Sequence, residues 1–200
     1  MSLLLATNNR GKLAEFERLL APIHLSTPDE IGLQLTIIEN GKTFADNAAL
    51  KAQAFADAAG SIALADDSGL EVDGLGGAPG VLSARYGGEG LDDAGRYRLL
   101  LRNLNATPRR EDRTARFRCC LVAVAPDGRS CSAEGCCEGF IADTAVGDKG
   151  FGYDPVFYLP EYDCTIAELE PADKDSVSHR ARALEALLPV LKATFPELGT

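Results

Sequence analysis

No apolar run in this chain of 200 residues is long enough to form a membrane-spanning helix. Cations are not in excess either: 20 Lys and Arg stand against 30 Asp and Glu, for a formal charge of −10. Without a sequence-wide basic surface to displace counterions, polymeric DNA or RNA is a poor partner. A small anionic substrate needs only a few cations gathered in one pocket. No C-x-x-C spacing occurs among the six cysteines. Cys119-Cys120 and Cys136-Cys137 are adjacent pairs, and neighbours on a strand point to opposite faces, which makes a poor chelate or disulfide. Free, mostly buried thiols are expected for these four, Cys131 and Cys164. Met1–Ala6 has no basic n-region and too short an apolar stretch for a signal peptide, so the chain reads as cytoplasmic. With no repeat, low-complexity run or linker, residues 1–200 read as one α/β domain.

Two familiar phosphate motifs are also missing. Gly41-Lys42-Thr43 ends like a P-loop, but the glycine that motif needs at position 36 is Thr36. Gly74–Gly80 suggests a dinucleotide fingerprint, yet its third glycine falls on Pro79, which makes a tight, rigid loop the better reading.

What is present suits a nucleotide. Phe151-Gly152-Tyr153-Asp154, followed by Lys174 and Ser178-His179-Arg180, places aromatic faces, a carboxylate, an ammonium, an imidazole and a guanidinium within one short stretch. Aromatics stack on bases, while Asp, His and Arg read base edges by hydrogen bonds. Lysine holds phosphate as a point charge. The competing reading makes Phe151 and Tyr153 core aromatics and puts the charges on a solvated helix start.

At the other end of the chain, Leu3–Ala6 reads as a buried strand running into Thr7-Asn8-Asn9-Arg10-Gly11-Lys12. A helix with Leu13, Phe16 and Leu20 on one face follows. Strand, polar turn and helix N-terminus, with Lys12 beside them, form a ready phosphate site, although the same turn needs Asn and Gly for its backbone alone. Thr43 should cap a helix that Gly60 ends, with Asn47 and Lys51 sharing a face and Glu39 just before it. Ser61–Ala65 should be a short strand ending at Asp66-Asp67-Ser68-Gly69 and resuming at Leu70–Val72. Paired carboxylates at a strand end suit metal-dependent phosphate chemistry and are equally a common turn composition.

Further on, Asp92 or Asp93 should cap a helix packing Ala94, Tyr97, Leu101 and Leu104. Arg116–Ala125 and Arg129–Ile141 read as a hairpin across Pro126-Asp127-Gly128. Val156–Leu159 forms a further short strand. A last helix starts near Ser176–Ser178, and Pro189 should kink or interrupt it.

In order along the chain, Thr7-x-Asn9-x-x-Lys12, Glu39-Asn40-Gly41-x-Thr43-Phe44, Asn47-Ala48-x-x-Lys51-Ala52, Ala65–Leu70, Gly76–Gly80, Ser83-Ala84-Arg85-Tyr86, Gly150–Pro155 and Ser178-His179-Arg180 resemble the inosine triphosphate pyrophosphatase, or Ham1-like, family. Each motif is weak alone; the ordered set is specific and spans nearly the whole chain. The resemblance implies an elongated α/β fold, with a long mixed β-sheet flanked by helices and a nucleotide cleft between two lobes. It implies a homodimer and hydrolysis of ITP, dITP or XTP to the monophosphate and pyrophosphate with Mg²⁺.

Carried over position by position, the resemblance implies polyphosphate contacts at Thr7, Asn8, Asn9, Gly11, Lys12 and Lys51. Arg10, within that segment, and Lys42 fall at positions the family leaves free. Glu39 and Asp67 match the metal positions, with Asp67 also the catalytic base and Asp66 a further candidate ligand. Ser68, Phe151, Gly152, Tyr153, Asp154, Lys174, His179 and Arg180 match the remaining nucleotide contacts; some relatives carry Trp where this chain has Tyr153.

Overall fold

The computed structural model describes residues 3–88, 90–108 and 111–199; Met1, Ser2, Glu89, Arg109, Arg110 and Thr200 lie outside the described residues. Seven strands form one mixed sheet in the order β2-β1-β3-β4-β5-β6-β7. They are β1 (Leu3–Leu5), β2 (Leu25–Ser26), β3 (Ala63–Val72), β4 (Thr114–Val124), β5 (Ser130–Ile141), β6 (Phe157–Leu159) and β7 (Cys164–Thr165). Helices α1 (Arg10–Leu19), α2 (Phe44–Ala59), α3 (Asp93–Ala106), α4 (Pro171–Val177) and α5 (His179–Thr194) accompany them. β1 pairs in parallel with β2 and β3, whereas β6 pairs antiparallel with β5 and β7. The parallel pairs need crossovers, and α1 and α2 lie in those connections. No helix among the described residues is long and apolar enough to cross a membrane.

By internal contacts the chain divides into two compact units. The first comprises Met1–Asp67, Cys119–Gly135 and His179–Thr200. β1 and the first half of β3 are buried on both faces, as parallel strands usually are. Leu3, Leu5 and Leu64 join Phe16 of α1 and Leu184, Leu187 and Leu191 of α5. The alternate residues Leu4, Ala63 and Ala65 join Ala48, Ala52 and Ala56 of α2. The small residues on that face let α2 approach closely.

The second unit comprises Ser68–Arg118 and Cys136–Ser178. Its core gathers Leu70 and Val72 of β3, Ala115 and Phe117 of β4, and Phe157 and Leu159 of β6 around Leu100 and Leu104 of α3. Burying one such Leu or Phe side chain is worth about 1.5–3 kcal/mol.

Caps decide where the helices start. Asn9 accepts the Lys12 N–H, and Thr43 and Asp46 form a reciprocal capping box at α2, which Gly60 closes in the left-handed conformation. Asp92, not Asp93, caps α3, and Leu100 joins Leu104 in the core, with Leu101 packed against it. All six cysteines are free, three of them buried.

The last helix begins at His179, next to its expected start, with the short α4 before it carrying Lys174. Two expectations fail. β3 runs unbroken through Asp66–Gly69, because side-chain partners satisfy both carboxylates and the backbone stays in the ladder. Pro189 does not interrupt α5. Burial of Leu184, Leu187 and Leu191 outweighs the ~3 kcal/mol that an interior proline costs.

Candidate active site

In the first unit, Asp67 meets α2. Asn47 Nδ2 donates to its Oδ2 at 3.1 Å and Lys51 Nζ to its Oδ1 at 3.3 Å. One helical turn separates Asn47 from Lys51, so both reach the same carboxylate. Lys51 Nζ also lies 2.9 Å from Glu39 Oε1. The loop carrying Glu39 is pinned where Gly41 N–H donates to Asn47 Oδ1 at 2.8 Å. A Cβ on Gly41 would lie 2.6 Å from that oxygen, so only glycine allows the approach. Burial pushes the Asp67 carboxyl above its usual range, against the opposing pull of Lys51 and the Asn47 hydrogen bond. Burial alone would lower Lys51, but Asp67, Asp66 and Glu39 outweigh it and raise the ammonium's pKa.

Asp67 and Glu39 thus face one cationic centre, which the Lys51 ammonium marks. Among the described residues no cluster of three or more His, Cys, Asp or Glu side chains is assembled for a metal. Two carboxylates do not make a zinc or calcium cage. They do fit Mg²⁺, which keeps several waters and binds through one or two carboxylates plus substrate phosphates.

Asp66 points to the opposite side of β3. Arg180 Nε donates to its Oδ2 at 2.9 Å, Lys12 Nζ lies 3.1 Å from the same oxygen, and Cys119 Sγ is 3.6 Å from Oδ1. Arg180 Nη1 donates to Glu15 Oε2 at 2.9 Å. Burial would raise the Asp66 carboxyl, but Lys12 and Arg180 overcome it and hold it well below the usual range. Burial likewise opposes the Arg180 charge, and Asp66 and Glu15 restore it.

Asp66 is the anchor of a buried ion network, and Arg180 is engaged by two carboxylates, Asp66 and Glu15.

Thr7 and Asn8 precede α1 and Asn9 caps it, while Arg10, Gly11 and Lys12 lie inside its first turn rather than in the expected loop. Thr7 Oγ1 accepts the Asn9 N–H at 3.2 Å, and Asn8, Asn9 and Arg10 are exposed. His179 opens α5 in the first unit and is buried.

The second unit holds the other base-side residues. Lys174 Nζ is 2.6 Å from Asp154 Oδ2 and 5.0 Å from the centre of the Phe151 ring. Asp154 Oδ2 also accepts the Phe151 N–H at 2.9 Å. Gly150, at φ +76°, leaves that carboxylate its place: a Cβ there would collide with Asp154 Oδ2. Gly152 N–H donates to Asp93 Oδ2 at 2.8 Å. Ser68 is half-buried on β3. Tyr153 differs from expectation. Its ring is 6 % exposed in the core and its hydroxyl donates to the Ser83 carbonyl at 2.8 Å. Burial pushes that phenol's pKa up, with Arg96 opposing. Of the two aromatics, only Phe151 keeps a partly exposed face.

A carboxylate poised between an ammonium and an amide, an anion-ready helix start, and an aromatic beside a buried Lys–Asp pair lie within the span that the Ham1 family model matches, residues 3–190. The chain belongs to the Ham1 family. It is 49 % identical to a dITP/XTP pyrophosphatase of Desulforamulus reducens over 98 % of both chains. To the dITP/XTP pyrophosphatase of Bacillus subtilis it is 45 % identical, over 95 % of this chain and 96 % of that one. A HAM1 protein from Coxiella burnetii superposes with a TM-score of 0.87 at 40 % identity, covering 96 % of this chain and 99 % of the other.

Within this family member, reasoning from sequence missed Asn47 and Glu15 as parts of the site. Asn47 carried a signal, since it lies four residues before Lys51 on a helix whose neighbouring face is apolar. Glu15 carried none: an acid beside Phe16 in an amphipathic helix reads as solvated, and only its partner Arg180, 165 residues away, explains its burial.

Proposed function

We propose that this chain, acting as one domain, hydrolyses non-canonical purine nucleoside triphosphates such as ITP, dITP and XTP to the monophosphate and pyrophosphate. The observation that carries this is Asp67, a largely buried carboxylate with a raised pKa, beside Lys51 and facing the same centre as Glu39. Relatives named dITP/XTP pyrophosphatases support the choice of substrate.

In this reading Glu39 and Asp67 hold Mg²⁺. When bound, Mg²⁺ neutralises phosphate charge and acidifies water. Asp67 accepts the proton of the water that attacks the α phosphorus, a task suited to a carboxylate whose basicity burial has raised. Lys12, Lys51 and the start of α1, with Thr7, Asn8, Asn9 and Gly11, hold the polyphosphate and stabilise the leaving pyrophosphate. Lys12 rests on Asp66, and Arg180 keeps Asp66 compensated when Lys12 turns to phosphate.

Ser68 contacts the substrate. Phe151 stacks on the base, with Gly152, Tyr153 and Asp154 shaping the loop beneath. Lys174 and His179 supply donors to the carbonyl at position 6 of hypoxanthine or xanthine. Adenine would set an amino donor against them and leave buried groups unpaired, at about 1–3 kcal/mol each. The family resemblance supports a cytoplasmic homodimer.

Product analysis on ITP with Mg²⁺, before and after chelation, tests the reading. IMP and pyrophosphate are expected, with loss of both on chelation. IDP and orthophosphate as first products would overturn it.

A further inference from the structure

Ser83 is claimed by none of the roles above, yet it is a buried polar residue with three hydrogen bonds near the base-side loop. It lies in the 3-10 turn Gly80–Arg85 and is 6 % exposed. Its Oγ accepts the Leu70 N–H at 2.9 Å and donates to the Gly80 carbonyl at 2.6 Å. Its own carbonyl accepts the Tyr153 hydroxyl at 2.8 Å. Leu70 is a β3 residue two places after Ser68, and Tyr153 sits two places after Phe151. Ser83 therefore ties the strand that carries one expected substrate contact to the loop that carries the aromatic platform.

The chemistry makes this tie stiff. Leu70, Ser83 and Tyr153 are all buried, so water does not replace a broken link. Removing either partner leaves a buried donor or acceptor unsatisfied. The loop needs such a hold. Gly150 and Gly152 take positive φ on either side of Phe151, and glycines by themselves leave the backbone loose. Asp154 holds the Phe151 N–H from within the loop, and Asp93, more than half exposed, holds Gly152 from outside. The Tyr153–Ser83 bond is the buried anchor of the three.

We propose that Ser83 is a positioning residue of the purine subsite, acting through Tyr153: it sets where the Phe151 ring stands relative to β3 and so how tightly the base is held. The inference rests on reading Phe151 as the base platform.

The test measures binding of IMP and of inorganic tripolyphosphate to the full chain by calorimetry, with ITP kinetics alongside. Tyr153→Phe removes only the hydroxyl donor. Ser83→Ala keeps the carbonyl acceptor and removes the hold on Leu70 and Gly80. Each should weaken IMP binding and raise KM for ITP by about three- to ten-fold, the worth of one hydrogen bond. Tripolyphosphate binding should hold, and the double variant should be little worse than either single one, since the two act in series.

A merely structural role would lower thermal stability without separating IMP from tripolyphosphate. Unchanged IMP binding, or equal loss of both ligands, overturns the inference. Phe151→Ala keeps its failure apart from that of the reading beneath it. If that variant leaves IMP binding intact, the base platform itself is wrong. If it weakens IMP while Ser83→Ala and Tyr153→Phe do not, Ser83 alone is refuted.

Discussion

Asp66 and Asp67 are neighbours on β3, yet their carboxylates serve opposite sides of the strand: Asp66 is held by Arg180 and Lys12, Asp67 by Asn47 and Lys51. One is pulled well below the usual carboxylate range and the other is pushed above it. Two chemically identical residues thereby acquire opposite shifts in basicity.

Asp67→Asn should lower turnover by at least about 10², because it removes the base and a metal charge while keeping shape. It should not lower the thermal midpoint. A carboxyl whose pKa is raised on folding costs stability once the pH exceeds its unfolded value, and the amide removes that cost. Calorimetric melting beside pyrophosphate release checks both halves; activity within a few-fold of wild type would show that the base lies elsewhere.

Asp66→Asn should behave the other way. It leaves Lys12 and Arg180 without their shared partner, and breaking a buried pair costs about 3–5 kcal/mol. The sign with pH also reverses. A depressed carboxyl contributes stability above its unfolded value near 3.8, and that stability is lost as the pH falls below it. Urea unfolding at pH 7 and at pH 3 should therefore show the variant's deficit shrinking in acid.

The pH profile of kcat/KM should show an acid limb, since Asp67 must be ionised to take a proton. Lys51→Met removes the strongest opposing charge and should move that limb up while weakening polyphosphate binding. A limb that stayed in place would mean that another group governs it.

Lys12→Ala should weaken ITP, GTP and ATP together, because every triphosphate shares the contact. Arg180→Ala should instead cost stability by uncovering Glu15 and Asp66, with loss of kcat for all three nucleotides. A selective rise in KM for ITP, with the melting point unchanged, would return Arg180 to the base edge.

Glu39→Gln should raise the Mg²⁺ concentration needed for half-maximal rate more than it raises KM for ITP, as one of two hard ligands becomes neutral. Titrating Mg²⁺ at saturating ITP reads this directly.

Much of this was legible in the sequence for local reasons. The caps at Thr43 and Asp92, the end of α2 at Gly60 and the hairpin across residues 125–129 follow from side chains within four positions of the backbone they serve. The pairing of Asn47 with Lys51 follows from helical period alone. The break expected in β3 was misjudged, because Asp-Asp-Ser-Gly has turn composition only while its carboxylates lack partners. Pro189 was misjudged for a similar reason: propensity at one position yields to a face of buried leucines.

The sequence alone determined which chemical groups are available and the order in which they occur, and that order was enough to place the chain in its family. Tertiary structure decided what each group does. Asp66 lies 114 positions from Arg180, Glu15 lies 165 from it, and Tyr153 lies 70 from Ser83. A carboxylate's charge, basicity and freedom depend on burial and on the partner within hydrogen-bonding reach, and neither is a property of its neighbours in sequence.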